Sequence, residues 1–226
     1  MLEQLQFYFL LFIIYSVIGW VLEVIYGYYM KHKITNRGFL IGPYCPIYGI
    51  GCILIITLLS SYKEHPAGLF VLAIVIASTL EYFTSYIMEK LFKARWWDYT
   101  KTKYNINGRV CLDTMLPFGI IACIVLYIIN PLIVNGLNSL SKDSIQILSI
   151  IIGVIFIIDI VTSFNIVNNF KKTIKKASVE DRTEDINSYL RDILSKRSLL
   201  HRRLLKAFPT AKAIIKKVTG LDTKKD

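Results

Sequence analysis

Five apolar stretches divide this 226-residue chain, and a soluble core of ordinary size has no place for them. They run approximately from Phe7 to Tyr29, Tyr44 to Leu59, Ala67 to Phe92, Leu116 to Val134 and Ile145 to Phe164. A hydrocarbon layer about 30 Å thick takes roughly 17 to 25 helical residues to cross, so each stretch reads as a membrane span. Apolar residues make up 54% of the chain and charged residues 19%, with a mean hydropathy of +0.49, a balance that excludes a typical soluble domain. The fold expected is all-α: a polytopic membrane helix bundle of about five spans over residues 1–170, carrying motif loops at 30–46 and 93–115. A basic amphipathic tail is expected over 171–226. The start of the chain, with Glu3 and no basic residue ahead of its apolar run, lacks the pattern of a cleavable signal peptide.

Charge orients the bundle. The connection Met30 to Pro43 carries Lys31, Lys33 and Arg37 without an acid, and Lys90 to Met115 is again rich in Lys and Arg. The intervening connections are balanced, with Lys63 beside Glu64 and Lys142 beside Asp143. From Lys171 onward 16 basic residues stand against 7 acidic ones, so this part contributes 16 − 7 = +9 of the chain's net +11. By the positive-inside rule the two basic loops and the tail face the cytoplasm and the N-terminus lies outside, as expected of a multi-pass membrane protein.

That orientation puts four acids at mid-depth or inward: Glu23, Glu81, Glu89 and Asp159. An ionised carboxylate at the bilayer centre costs roughly 2.5 to 3.5 kcal/mol on insertion scales, so each should face the interior, find a partner or hold a proton. Glu81, Ser85 and Glu89 recur at four-residue spacing and share one helix face. Glu89 also suits a simpler role at the interface beside Lys90.

The two basic loops are the unusual segments. Around Tyr44, the residues Gly42-Pro43, Pro46, Gly49 and Gly51 interrupt the second stretch, leaving a short or broken helix. Irregular backbone at membrane depth is tolerated only against protein or a water-filled cavity, so this loop is expected to line something. The other loop reads Arg95-Trp96-Trp97-Asp98-Tyr99, then Asn105-Ile106-Asn107-Gly108-Arg109 and on to Asp113. Polar and aromatic side chains packed between apolar spans mark a candidate site, although Trp96 and Trp97 equally suit anchoring at headgroup level. Asp98, Asn105, Asn107 and Asp113, with Arg95 and Arg109, supply hard oxygen ligands and forked donors for Mg²⁺ and a phosphate at the interface. Because the loops share a side, Arg37, Tyr44, Glu81, Trp97, Asp98, Asn107 and Arg109 are expected around one cytoplasm-facing pocket.

Taken jointly, Gly19-Trp20-x-x-Glu23, Arg37-Gly-Phe-Leu-Ile-Gly-Pro-Tyr-Cys-Pro-Ile-Tyr-Gly49, Glu81-Tyr-x-x-Ser85-x-x-Met-Glu89 and the Arg95 to Arg109 motifs resemble a bacterial membrane-protein family. It is the family described as putative ABC-transporter type IV, or putative ABC transporter permease, and the resemblance covers roughly Phe7 to Ile128. It implies a transport component. No Gly-x-x-x-x-Gly-Lys-Ser/Thr phosphate loop is present, so the resemblance implies that the ATPase is a separate chain.

Other chemistry finds little support. His32, His65 and His201 fall on different connections or the tail, and Cys45, Cys52, Cys111 and Cys123 lack metal-ligand spacing, which disfavours a Cys-His or Ser-His pair and a zinc site. In the tail, Ile186, Leu190, Ile193, Leu194, Leu200 and Leu204 recur at helical spacing among Arg and Lys, the pattern of a helix lying on an anionic leaflet or pairing with a second copy. Nucleic acid is not an expected partner, because Tyr189 and Phe208 are too few aromatics for a stacking platform. The function expected is a permease-like transport component, with solute near Glu23, Glu81 and Asp159. The alternatives are an interfacial enzyme or lipid-binding protein acting on a phosphorylated or isoprenoid lipid, the only reading that calls for Mg²⁺, and a non-catalytic regulatory subunit.

Overall fold

Backbone N–H and C=O groups find no partner in hydrocarbon except one another, and the apolar stretches satisfy them as helices. A computed structural model of the chain describes residues 1–32, 36, 38–92, 94–95, 97–177 and 212–213. In order these form α1 (Leu2–Lys31), α2 (Pro46–Leu59), a 3-10 turn (Ser60–Tyr62), α3 (Pro66–Phe92), β1 (Ala94–Arg95), β2 (Asn105–Ile106) and β3 (Val110–Cys111). Next come α4 (Leu112–Ile124), a π-helical turn (Val125–Ile129), α5 (Asn130–Asn138), α6 (Lys142–Ala177) and β4 (Lys212–Ala213). The bundle is all-α apart from these short strands. Among the described residues four pieces are long and apolar enough to cross a membrane: Leu2–Tyr29, Pro66–Leu91, Leu112–Asn138 and Lys142–Ile166. The piece spanning Pro46–Tyr62 is shorter, as the glycines and prolines at its start foretell.

Successive helices run antiparallel. At one end Lys142 Nζ meets Glu3 at 3.1 Å, and the Tyr127 hydroxyl donates to the Lys63 carbonyl at 2.6 Å. The 38–45 loop and the β2–β3 hairpin therefore share the opposite end.

Two helices start inside the bundle instead of at its edge. The Cys45 N–H donates to the Ser16 carbonyl at 2.9 Å, so α2 begins beside the middle of α1, which runs on to Lys31. Small residues allow that approach: a Cβ on Gly49 would lie 2.3 Å from Ser16 Oγ and 2.6 Å from the Phe12 carbonyl, and one on Gly19 would lie 2.3 Å from Tyr48 Cγ. Lipid tails are as apolar as the helix surfaces, so close backbone approach and van der Waals packing hold such a pair. Tyr15, Leu10, Leu11 and Cys52 fill the core above it, and Leu69, Ala73, Ala122 and Leu126 fill the seam between α3 and α4. Here Gly119 sits against Phe70 and Ile74.

The π-helical turn has an identifiable cause. Pro131 lacks the N–H that would continue the α-helical ladder, and the Asn130 N–H bonds to the Val125 carbonyl five residues back. The extra residue aims the Asn130 side chain at α1, where its carbonyl accepts from the Tyr15 hydroxyl at 2.9 Å.

The expected boundary at 170/171 falls within α6, which continues to Ala177. β4 pairs antiparallel with β1, Ala213 opposite Ala94 and Lys212 opposite Arg95. The tail helix expected around Ile186 to Leu204 lies outside the described residues, as do Arg37 and Trp96.

Gly19→Ala is expected to destabilise the α1–α2 contact by about 1–3 kcal/mol, because the Tyr48 ring has to move. Thermal unfolding in detergent measures it, and an unchanged midpoint would show that this contact has slack the geometry does not.

Candidate functional site

The 97–111 segment folds as a β-hairpin over the last turns of α3. Asn107 and Gly108 both have positive φ, 53° and 67°, and the Arg109 N–H donates to the Ile106 carbonyl at 2.9 Å, the geometry of a type I′ turn. β2 and β3 pair Asn105 with Cys111 and Ile106 with Val110. The Asn105 amide braces the turn, donating to the Thr102 carbonyl at 2.7 Å and accepting from the Gly108 N–H at 2.8 Å. Gly108 has no room for a side chain, since a Cβ would come within 2.9 Å of Asp98 Oδ1.

The hairpin is fixed to α3 by ion pairs and hydrogen bonds. Arg109 is buried, with one guanidinium nitrogen 2.9 Å from Glu89 Oε2 and another donating to Ser85 Oγ at 3.2 Å. Its guanidinium carbon lies 5.4 Å from the Tyr86 ring centroid and 5.7 Å from that of Tyr82. Arg95 reaches the same Glu89 oxygen at 3.0 Å and Asp98 at 3.5 Å. The Asn107 amide donates to the Tyr82 hydroxyl, and the Trp97 indole N–H to the Arg109 carbonyl, each at 2.9 Å. Asp113 stands apart, exposed in the first turn of α4, where a carboxylate complements the helix dipole.

Deeper in the bundle lies an acid pair with tyrosine partners. Gly19 lets the Tyr48 ring cross α1, and the Tyr48 hydroxyl donates to Glu23 Oε1 at 2.9 Å. Tyr99, whose N–H is tied to the Gly108 carbonyl, reaches down from the hairpin and donates to Glu81 Oε1 at 3.4 Å. Glu81 is only 6% exposed, and its Oε2 has no hydrogen-bond partner; the Ser78 hydroxyl, one turn away on α3, has none either. Thr114, the third residue of α4, lies beside Glu81 but donates its hydroxyl to the Cys111 carbonyl at 2.9 Å. Burial first, then the Glu81 charge, pushes the Tyr99 phenol well above its usual range.

Asp159 does something else again. Its two oxygens accept the consecutive N–H groups of Ile41 and Gly42 at 2.8 and 2.6 Å, and Ser163 Oγ donates to it at 2.9 Å. A Cβ on Gly42 would approach Asp159 Oδ2 to 2.7 Å, so the motif glycine makes the clasp possible. Tyr44 stacks edge-on against Phe156 of the same helix, with centroids 5.6 Å apart.

Apart from Asp113, the described site residues expected from sequence thus fall into three groups at one end of the bundle. Glu81, buried, and Glu23, half-buried, form the deeper pair. Ser85, Glu89, Trp97, Asp98, Asn105, Asn107 and Arg109 build the hairpin and its clamp, while Tyr44 and Asp159 hold the first loop. Tyr48, Tyr99 and Ser163 were not singled out. Tyr48 and Tyr99 stood inside quoted motifs, and the Asn107-Gly108 dipeptide was a hairpin signal; for Ser163 the four-residue spacing from Asp159 was the only cue.

The fold and site define a polytopic helix-bundle membrane protein in which two helices begin inside, next to the buried Glu81 and the half-buried Glu23. Residues 10–164 match the model of the putative ABC-transporter type IV family, and the chain belongs to that family. It is a membrane component related to transport. No curated protein and no solved structure matches the chain.

Arg109→Gln is expected to cost about 1.5–3 kcal/mol, below the 3–5 kcal/mol typical of a broken buried pair, because Arg95 still holds Glu89. Chemical denaturation in mild detergent tests this. Asp159→Asn places an amide against peptide donors, so faster proteolytic cleavage within 38–45 is expected relative to the parent protein. Equal cleavage would mean the clasp does not restrain the loop.

Proposed function

We propose that this protein is the membrane-embedded, permease-like component of a transport system, with the Glu23–Tyr48–Glu81–Tyr99 cluster as the polar centre of a pocket facing the cytoplasm. The observation that carries this reading is Glu81: a carboxyl at mid-helix, buried, with one oxygen unpartnered. A group serving packing alone would be expected to have both oxygens satisfied. The helix starts add to the argument, since broken helices near mid-depth are a recurring way for membrane transport proteins to present polar groups to a passing solute. Basic residues in both loops and the tail support the cytoplasmic assignment of this end. The chain has no phosphate loop of its own, so an ATPase would be a separate chain, and five helices favour a second copy or another membrane partner.

The headgroup-binding alternative has less support. Asn105, Asn107 and Arg109 use their polar atoms inside the hairpin and its clamp, which leaves few donors for a lipid phosphate.

Glu81→Gln preserves shape and removes the titratable charge. Normal insertion and expression with lost transport or growth phenotype are expected, and wild-type activity would overturn the proposed centre. Membrane sidedness is tested by an introduced cysteine at His65, expected to react from outside, and one at Lys101, expected to react only from the cytoplasm. Labelling of both positions from one side of sealed vesicles would overturn the orientation.

A further inference from the structure

We infer that Glu81 is a proton-exchange site, loaded and unloaded from the hairpin end of the bundle through the Tyr99 hydroxyl. The inference deepens the transport reading above and rests on it for its purpose, but the site stands on geometry of its own.

Glu81 is 6% exposed, and among the described residues no ion pair reaches it; Arg109 is engaged by Ser85 and Glu89 further along α3. A charged carboxylate at such a position costs roughly 2.5–3.5 kcal/mol on insertion scales. The Tyr99 hydroxyl reaches it at 3.4 Å, long for a hydrogen bond, and the Thr114 hydroxyl beside it is directed to the Cys111 carbonyl, so neither returns the full 1.5–3 kcal/mol, roughly, of a bond to a charged group. Glu23, which faces the same cluster from α1, acts against a second negative charge. The balance favours a bound cation over a bare carboxylate. Among the described residues no group of three acids, histidines or cysteines stands ready for a metal ion, and beside Glu23 the groups next to Glu81 are the Tyr99 and Thr114 hydroxyls. A proton needs no coordination shell and no cavity.

The groups facing Glu81 set the route. Glu23 lies on α1, Tyr48 on α2, Tyr99 and Cys111 on the hairpin segment, and Thr114 on α4. Tyr48 is committed to Glu23 and Thr114 to the Cys111 carbonyl. Among the described residues it is Tyr99 that joins Glu81 to the turn, with its hydroxyl on Glu81 Oε1 at 3.4 Å and its backbone N–H on the Gly108 carbonyl. In the loading step the Tyr99 O–H bond breaks as a Glu81 O–H bond forms, and the phenol oxygen takes a proton from a hydronium ion that arrives from the hairpin end and departs as water. The phenol is restored and the net change is one proton on Glu81. Burial makes a free phenolate costly, so the two transfers occur together. Ser78 Oγ, also unpartnered and one turn from Glu81, gives the protonated carboxyl a neighbour on the far side.

Infrared spectroscopy of the full-length protein in liposomes tests this through the C=O stretch of a protonated carboxyl. The expected result is a band in the wild type that disappears reversibly as pH rises, shifts in D₂O, and is missing from Glu81→Gln. Tyr99→Phe should keep the band and slow its deuterium exchange by at least about tenfold. A wild type without such a band at any pH overturns the site, whether or not the variant folds. A band midpoint that follows Na⁺ concentration reassigns it to a metal cation, and unchanged exchange in Tyr99→Phe overturns the route. Loss of transport in Glu81→Gln without a carboxyl band would keep the polar centre and remove the proton; the band without that loss would do the reverse.

Discussion

The Asp159 carboxylate is the interaction on which the architecture of this bundle depends. Between α1 and α2 the chain turns back and begins the second helix halfway up the first, which leaves peptide groups at a depth where water is scarce. Two consecutive N–H groups, of Ile41 and Gly42, would each be costly if left unpaired. A carboxylate satisfies both, and Ser163 completes its shell. With that loop fixed to α6, Cys45 can meet Ser16 and Tyr48 can lie over Gly19. The Tyr48–Glu23 contact follows from the same placement.

On the other side of the bundle the hairpin performs the matching task. α4 starts beside Glu81 while α3 runs on to Phe92, so the final turns of α3 would lack a helical neighbour without it. Arg109, Arg95, Glu89 and Asp98 close this region with two charges of each sign. Among the described residues the clamp charges are paired, whereas Glu81, one to two turns deeper, keeps one carboxyl oxygen without a hydrogen bond.

Much of the fold was legible in the sequence because bilayer thickness fixes helix length and hydropathy marks it. The broken start of α2 was legible from Gly42-Pro43 and Pro46, and the stripe of Glu81, Ser85 and Glu89 from its spacing. The partners of the acids were not legible. Asp159 reads as a costly intramembrane charge, and nothing in its neighbourhood says that its partners are peptide groups more than a hundred positions away. Asn105 and Asn107 read as ligands because amides bind many things, whereas the Asn-Gly turn between them needed both for its own geometry. Tyr48 and Tyr99 were hidden by how common tyrosine is near membrane interfaces.

The π-helical turn at Val125–Ile129 gives the Leu112–Asn138 crossing two faces in place of one. Below it, Gly119 nestles against Phe70 and Ile74 of α3; above it, Asn130 meets Tyr15 of α1. Each helical residue turns the chain by about 100°, so one inserted residue is enough to re-aim everything that follows. The crossing behaves as two short keys cut on one shank, and their phase is a matter of residue count. A one-residue insertion or deletion within this turn would leave hydropathy and length almost untouched while rotating the outer key out of its lock. Among homologous chains, those that change length here must also change what faces Tyr15.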